Sequence, residues 1–362
     1  MCLLAPYGMI QQLLGQTEQN QTRISVIVVT WNRRDMLAEC LQSLAAQSLL
    51  PDEVIIVDNG STDGSLEMVR AFQGLDIRLI CNTENRGFCA ANNQGFDVAT
   101  GDLLALLNND AVADRDWLLE LSRAFENDTP PRIGMAASKI LVYSQRDRID
   151  KVGHQIYWDG QNRGRGAGEL DLGQYDRIEE VLWPDGCAAM YRRDMIQEIG
   201  GFDEDFFAYA DDAELGLRAR LAGWTCLYMP AARVYHHRGS TLGVYSSTRI
   251  QLIERNRILL VWKHFPWSLV WLNGWFYLLR IAAGAIAAAR GRGEAGKVHG
   301  WTAKLQLGMA LLRGGLQSIP LLPIMLSKRK QFHPLRRLNN RELWSLLRKY
   351  RISLKALSEQ TS

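Results

Sequence analysis

Two polar clusters in this chain carry the residue types that chemistry needs. The first, Asn108-Asn109-Asp110, follows the apolar run Leu103-Leu104-Ala105-Leu106-Leu107, and the second is Asp211-Asp212-Ala213-Glu214. A strand that runs out into a polar loop is where an open α/β sheet binds its ligand. Hard cations bound to phosphates use oxygens of the kind that Asn108 and Asp110 offer. The two clusters therefore suit a group transfer that needs a metal-held diphosphate on one side and a base on the other, with Asp212 as the base. A carboxylate raised toward neutral pKa by burial or by a like-charged neighbour is suited to that task, and Asp211 is such a neighbour. Both clusters also have plainer readings. Asn-Asn-Asp is a common surface turn, and Asp211 with Glu214 three residues on has capping-box spacing at a helix start.

The elements that must position these clusters are legible as alternating patterns. Ile24-Ser25-Val26-Ile27-Val28-Val29 and Val54-Ile55-Ile56-Val57 are apolar runs of the kind that parallel strands covered on both faces require. Met36, Leu37, Cys40, Leu41 and Leu44 recur between them at helical spacing. Ile77–Ile80 and Leu103–Leu107 read as further strands, with a helix from about Ala90 to Ala99 between them. This alternation predicts a parallel, doubly wound sheet. No Gly-x-Gly-x-x-Gly follows the first strand and no Gly-Lys-Ser/Thr loop occurs, which disfavours nicotinamide dehydrogenases and P-loop ATPases.

The loops after the strands then become the nucleotide candidates. They are Thr30-Trp31-Asn32-Arg33, Asp58-Asn59-Gly60-Ser61-Thr62-Asp63-Gly64, and Asn82 to Phe88 leading into Ala91-Asn92-Asn93. A carboxylate such as Asp58 accepts the N3–H of a uracil or thymine ring, although Asn, Gly, Ser and Asp are equally the residues of a plain turn and cap. Downstream lie Trp183-Pro184-Asp185-Gly186-Cys187 and Met229-Pro230-Ala231-Ala232-Arg233-Val234-Tyr235-His236-His237.

With these motifs, residues 23 to about 260 resemble a bacterial family 2 inverting glycosyltransferase, most closely the rhamnosyltransferase-like members. The resemblance implies a GT-A-like α/β fold, a Rossmann-type and mostly parallel sheet with helices on both faces. It implies Mg²⁺ or Mn²⁺ at Asn108, Asp110 and His236, with Asn108 standing where the family pattern Asp-x-Asp has its first acid. It further implies a nucleotide-sugar site at Thr30, Asn32, Asp58, Asn59, Asn85, Arg86, Gly87, Asn92 and Asn109, and an acceptor side at Asp185 and Gly186. Asp212, beside Asp211, maps to the base. The implied donor is deoxythymidine-diphosphate-rhamnose or a uridine-diphosphate sugar, and the implied acceptor is a hydroxyl of a glycan or lipid-linked glycan in bacterial cell-surface polysaccharide synthesis. Two rivals remain: a nucleotidyltransferase, whose Gly-rich basic loop after the first strand is absent, and a non-catalytic scaffold, which has no use for Asp110, Asp212 and His236.

Composition bounds the rest. A chain of 362 residues has room for one large α/β domain and an appendage, and six scattered cysteines without a Cys-x-x-Cys pair point to neither a zinc ribbon nor a disulfide framework. The net charge of +3 argues against a nucleic-acid binder. Residues 1–22 read as a leader, 23–250 as the catalytic domain, 251–326 as an apolar helical, membrane-associated region, and 327–362 as a basic tail. The block from Trp262 to Leu279 and the stretch to Ala289, interrupted by Arg280, fit a helix lying at a membrane interface, or else a buried hairpin. Leu305–Leu326 is a second apolar stretch, broken at Arg313, Gly314, Gly315 and Pro320. Basic residues beside apolar helices suit an anionic leaflet. The expected location is the cytoplasmic face of the bacterial inner membrane, peripherally held, or the cytoplasm.

Overall fold

The structure is a computed structural model that describes residues 22–126, 132–238, 246–293 and 300–359. All but the last residue of the expected leader lies outside them. Among the described residues, twelve strands and twelve α-helices follow in chain order: β1 (Ile24–Thr30), α1 (Arg34–Ala45), β2 (Glu53–Asp58), α2 (Ser65–Ala71), β3 (Ile77–Cys81), α3 (Gly87–Val98), β4 (Leu103–Leu107), β5 (Ala111–Ala113), α4 (Trp117–Ser122), β6 (Ile133–Val142), β7 (Gln145–Lys151) and β8 (His154–Ile156). Then come β9 (Asn162–Gly164), β10 (Glu179–Val181), β11 (Ala188–Arg192), α5 (Arg193–Ile199), α6 (Asp211–Leu221), β12 (Thr225–His236), α7 (Ser247–His264), α8 (Trp267–Ala289), α9 (Trp301–Ser318), α10 (Leu322–Phe332), α11 (Asn340–Lys349) and α12 (Leu354–Glu359).

The central sheet has the order β10-β12-β6-β11-β4-β1-β2-β3. Its first half is the expected parallel array, with β1 between β2 and β4. Successive residues of these strands face opposite cores: Ile27, Ile55, Val57 and Leu106 belong to one buried cluster, Val26, Val28, Ile56 and Leu107 to the other. Burial on both faces is why the runs are continuously apolar instead of alternating. Beyond β4 the sheet also takes in antiparallel strands, of which β11 is inserted between β4 and β6.

Two irregularities aim side chains. Pro230 interrupts β12, and the β12–β6 register shifts between Met229 and Arg233; proline cannot donate to the ladder, so the strand bulges there. Past the bulge β12 also pairs with β5, His236 opposite Ala111. Gly216 sits inside α6 although glycine weakens a helix, because a β-carbon there overlaps Trp183. That close approach seats the acidic start of α6 against the segment that carries Asp185.

The segment expected as a basic tail packs onto the domain. Leu343, Leu346 and Leu347 of α11 join the same core as the sheet, and the Ile352 N–H donates to Ile156 O while the Ile156 N–H donates to Tyr350 O, each at 3.1 Å. Three of its cations are matched by upstream carboxylates, Lys328 by Asp203 and Asp205, Arg337 by Glu198, and Lys349 by Glu180. Gly314 and Gly315 do not break α9; Gly314 instead brings it against the Gln251 backbone of α7. The outer faces of α8 and α9 have no partner among the described residues. Trp271 is 79% exposed, Trp275 and Leu278 are 61%, and Leu312 is 64%.

Candidate active site

A single cleft of about 1520 Å³ runs along the carboxyl ends of β1 and β4 and past the start of α6. It joins the two clusters that lie far apart in sequence: Asn108, Asn109 and Asp110 line one part, Asp185, Gly186, Asp211 and Asp212 another. Thr30, Asn59, Asn85 and Gly87 lie on it as well. Asn32, Asp58, Arg86 and Asn92 are not among its lining residues. Asn32 accepts from Thr62 N at 2.7 Å and so ties the first loop to the second, whereas Asn92 donates to Phe88 O within α3 at 2.9 Å.

The nucleotide end is held by amides bonded across loops. Asn59 bridges Asn82 at 2.9 Å, Asn85 at 3.3 Å and the Gly87 carbonyl at 3.3 Å, and Asn109 donates to Thr30 Oγ1 at 3.0 Å. Asp58 is 1% exposed, and its Oδ2 accepts from the amides of Gly60 and Ser61. Its Oδ1 is a buried oxygen with no partner among the described residues. A buried acceptor in that state carries an unmet cost that a ligand N–H relieves.

At the second cluster, His236 links two acids. Its Nδ1 lies 2.8 Å from Asp150 Oδ2 and its Nε2 3.3 Å from Asp110 Oδ1. Asp150 is itself held by Arg238 at 3.0 Å. A carboxylate on the far nitrogen of a histidine is the usual outer-shell arrangement behind a metal ligand. Burial alone depresses the His236 imidazole, but Cys187, Asp110 and Asp150 outweigh it and hold the group well above its ordinary pKa. The neighbouring His237 stacks on Tyr143 at 3.7 Å and faces Glu39. Asn108 lines the cleft and donates its backbone N–H to Cys187 O at 2.8 Å.

The third cluster contains two residues that sequence reasoning missed. His154 Nε2 lies 3.0 Å from Asp185 Oδ2 and 3.3 Å from Asp212 Oδ2, and Lys151 Nζ lies 2.6 Å from Asp185 Oδ2. Donor atoms of His154, Asp185 and Asp212 lie within 4.8 Å of one another, near enough to hold a cation. The Lys151 ammonium already supplies positive charge at Asp185. Burial pushes the Asp185 carboxyl up, yet Lys151 and His154 carry it well below the usual range. Burial and Asp212 raise Asp211 to about 8, and burial raises Asp212 against the opposing pull of His154. No motif in the sequence flags Lys151 or His154, which stand on β7 and β8, strands that pair with β6 and β9 respectively.

The acids are presented by a strained turn. Phe207, Tyr209 and Ala210 all have positive φ, at 62°, 68° and 55°, conformations that cost energy outside glycine and concentrate at functional sites. Asn256 of α7, fully buried, donates to the carbonyls of Phe206, Ala208 and Tyr209 at 2.7–2.8 Å. Gly87 admits the Phe207 ring, which a β-carbon would strike at 2.5 Å. The capping-box reading of Asp211 and Glu214 is not realised: Glu214 is buried in ion pairs with Arg218 and Lys263, and Asp212 Oδ1 accepts from Ala213 N at 2.7 Å. Replacing Asn256 with Ala takes its amide from the Ala208 and Tyr209 carbonyls, whereas Phe206 O keeps Arg255 and the Ala208 N–H, so chemical denaturation is expected to show a loss of about 2–4 kcal/mol. An Asn256→Ala protein as stable as wild type contradicts the clamp.

Comparison with known proteins yields consistent matches. The Glycosyl transferase family 2 profile matches residues 25–200. A glucosyl-dolichyl phosphate glucuronosyltransferase of Haloferax volcanii is 29% identical over 224 residues, 59% of this chain and 69% of that protein. An N-acetylglucosaminyl-diphospho-decaprenol L-rhamnosyltransferase of Mycobacterium tuberculosis is 26% identical over 272 residues, 67% of this chain and 86% of that one. Among solved structures, TarS of S. aureus superposes with a TM-score of 0.51 at 16% identity over 91% of both chains. A mannosyltransferase from Pyrobaculum calidifontis, solved with GDP-Man and Mn²⁺, has a TM-score of 0.51 at 18% identity over 90% of this chain and 88% of that one. At those identities the structural likeness shows a shared fold, that of GT-A-type glycosyltransferases.

Proposed function

Because residues 25–200 are a glycosyl transferase family 2 domain, we propose that the protein moves a sugar from a nucleoside-diphosphate donor to a hydroxyl of a glycan or lipid-linked glycan, with inversion. The observation that carries this reading is the meeting in one cleft of the Asp110–His236 pair, backed by Asp150, and the Asp212–His154–Asp185 set. Asp58 Oδ1 receives the N3–H of a uracil or thymine ring, and the amides around Asn59 and Asn109 hold the loops about the nucleotide. Asn108, Asp110 and His236 form a donor set that fits Mg²⁺ or Mn²⁺, with Asp150 fixing the imidazole. A divalent cation there supplies positive charge to the leaving diphosphate.

On the opposite side Asp212 takes the proton of the acceptor hydroxyl. As the acceptor oxygen bonds to the anomeric carbon, the bond from that carbon to the diphosphate breaks, and its electron pair leaves with the nucleoside diphosphate. His154 orients Asp212 and favours its charged form, while Lys151 and His154 neutralise Asp185 beside it. Asp211, protonated over more of the pH range, limits the negative charge on the pair. A β-carbon on Gly186 would press on the Phe88 ring at 3.3 Å and lie 3.7 Å from Asp211 Oδ2, so the glycine keeps this side of the cleft open to the acceptor. The decaprenyl diphosphate acceptor named for the mycobacterial relative supports a lipid-linked acceptor and, with it, a rhamnosyl donor.

A thermal-shift panel of nucleotide-sugars with and without Mn²⁺ tests the reading, since a ligand that binds only the native state raises its stability with occupancy. Thymidine- or uridine-diphosphate sugars are expected to raise the midpoint, and to do so more with Mn²⁺. A panel that responds only to nucleoside triphosphates turns the assignment toward a nucleotidyltransferase.

The enzyme is proposed to lie on a membrane. Trp267–Ala289 and Thr302–Leu335 are helical stretches long and apolar enough to cross a bilayer, but Arg280 of α8 is tied to Asp159 at 2.6 Å and to Glu254 at 3.0 Å, and Asn273 to the Asp159 carbonyl at 3.0 Å. A helix fastened along one face to a polar domain suits the interface better than a span, with its outward tryptophans at headgroup depth. With three of the tail's cations matched internally and large apolar side chains exposed on α8 and α9, apolar burial is taken to outweigh charge, and salt screens only the latter. Sedimentation with phosphatidylglycerol and phosphatidylcholine vesicles is expected to show binding to both that largely survives high salt. Complete release by salt, or no binding to either, contradicts this picture.

A further inference from the structure

Phe207 is held in a conformation that its residue type does not favour. With φ 62° and ψ −60° it is the central residue of a γ-turn of the rare, strained kind, closed by the Ala208 N–H donating to Phe206 O at 2.7 Å. Its own carbonyl accepts from Cys89 N at 3.1 Å, which fastens the turn to the start of α3. Arg255 and Asn256 of α7 hold the Phe206 carbonyl on the other side. A shape that glycine adopts freely and phenylalanine does not is thus fixed by α3 and α7 together.

The side chain takes no part in the core. Phe207 is 39% exposed and belongs to none of the buried apolar clusters among the described residues. Its ring lies where a side chain on Gly87 would stand, and Gly87 itself has φ 83°, so a left-handed glycine and a strained turn both serve to seat one ring. The ring is thereby set against the loop that carries Asn85, shortly before Asp211 and Asp212 in the chain, and all of these residues line the same cleft. Backbone strain kept at an exposed aromatic residue that no core requires points to a ligand.

We infer that the Phe207 ring is the platform on which the transferred sugar of the donor lies. The inference rests on the sugar-transfer reading above and names the residue that recognises the sugar itself. A pyranose presents a face of weakly positive C–H groups, and the face of an aromatic ring is negative. Such a contact needs no hydrogen-bond partner, so it leaves the sugar's hydroxyls to polar groups. The nucleobase is assigned to Asp58 and the diphosphate to Asn108, Asp110 and His236. What meets a ring between the nucleotide loop and Asp212 is then the sugar, which stands between diphosphate and base. Resting on Phe207, it loses freedom before the acceptor oxygen attacks.

The test is Phe207→Gly in the full-length protein, which removes the ring and relieves the turn at once. Chemical denaturation is expected to show a midpoint no lower than wild type, since glycine adopts this φ without strain. Binding is measured by calorimetry with Mn²⁺ present, using thymidine-diphosphate-rhamnose and uridine-diphosphate-glucose beside the two bare nucleoside diphosphates. The variant is expected to lose about five- to tenfold in affinity for whichever nucleotide-sugar the wild type binds, and less than about twofold for the bare diphosphate. Phe207→Tyr, which keeps the ring, is expected to retain wild-type affinity for both. Equal losses for nucleotide-sugar and bare diphosphate overturn the proposal by putting the ring on the nucleobase. A midpoint well below wild type overturns it by making the ring a structural prop on Gly87. Full retention of nucleotide-sugar affinity in the glycine variant overturns it and leaves sugar transfer standing, whereas a wild type that binds no nucleotide-sugar overturns both.

Discussion

Asp212→Asn is expected to lower the transfer rate by about 10²–10⁴-fold, the usual contribution of a positioned general base, while donor affinity stays near wild type. The amide still accepts the Ala213 N–H at the helix start, so the fold keeps its bond and loses only the proton acceptor. The pH dependence adds a second readout. Burial raises Asp212 above the ordinary carboxylate range, and the base works only when deprotonated. Wild-type activity is therefore expected to rise with pH through an apparent pKa above that range and then level off. His154 favours the charged form of Asp212, so His154→Gln is expected to move the rise to higher pH, whereas loss of mere packing lowers the rate at every pH. Single-turnover rates across pH decide the matter. An Asp212→Asn enzyme within about tenfold of wild type reduces Asp212 to a helix-start residue.

The second large effect is expected at Asp110. Its carboxylate is 5% exposed and faces His236 Nε2, so Asp110→Ala removes the only formal negative charge among Asn108, Asp110 and His236. Activity is expected to fall by about 100-fold or more, and Asp150→Asn, which leaves the donor set but frees the imidazole, by about 10–100-fold. The signature lies in which ligand suffers. Calorimetric titration is expected to show Asp110→Ala weakening the intact nucleotide-sugar far more than the free nucleoside, because cation and diphosphate bind as one unit. Equal losses for both put Asp110 outside the diphosphate site. Asn108→Asp, which restores a charge, is expected to keep or strengthen dependence on the divalent cation.

The sequence by itself determined the parallel half of the sheet, because strands buried on both faces must be continuously apolar and β1, β2 and β4 are. It also determined where polar loops leave those strands, and so named Thr30, Asn59, Asn85, Gly87, Asn108, Asn109 and Asp110, all of which line the cleft. The acidic start of α6 was equally legible, since two adjacent acids at a helix entry stand out locally. Contacts between elements distant in sequence were not. Lys151 and His154 belong to no local pattern, and only the packing of Asp185 and Asp212, from other elements, around them marks them out. Asn256 lies in a charged stretch of helix, and only docking of α7 under the turn brings its amide to three carbonyls 47–50 residues away. His236 was nominated by its spacing, but what brings it to Asp110 is the bulge at Pro230 and the pairing of β12 with β5. The basic run of the last residues reads as a free tail for the same reason: Glu180, Glu198, Asp203 and Asp205, which hold Lys349, Arg337 and Lys328, lie far upstream. Apolar periodicity and turn chemistry are local and survive in one dimension, whereas the electrostatics of a site belong to whichever side chains the finished packing places within a few ångströms.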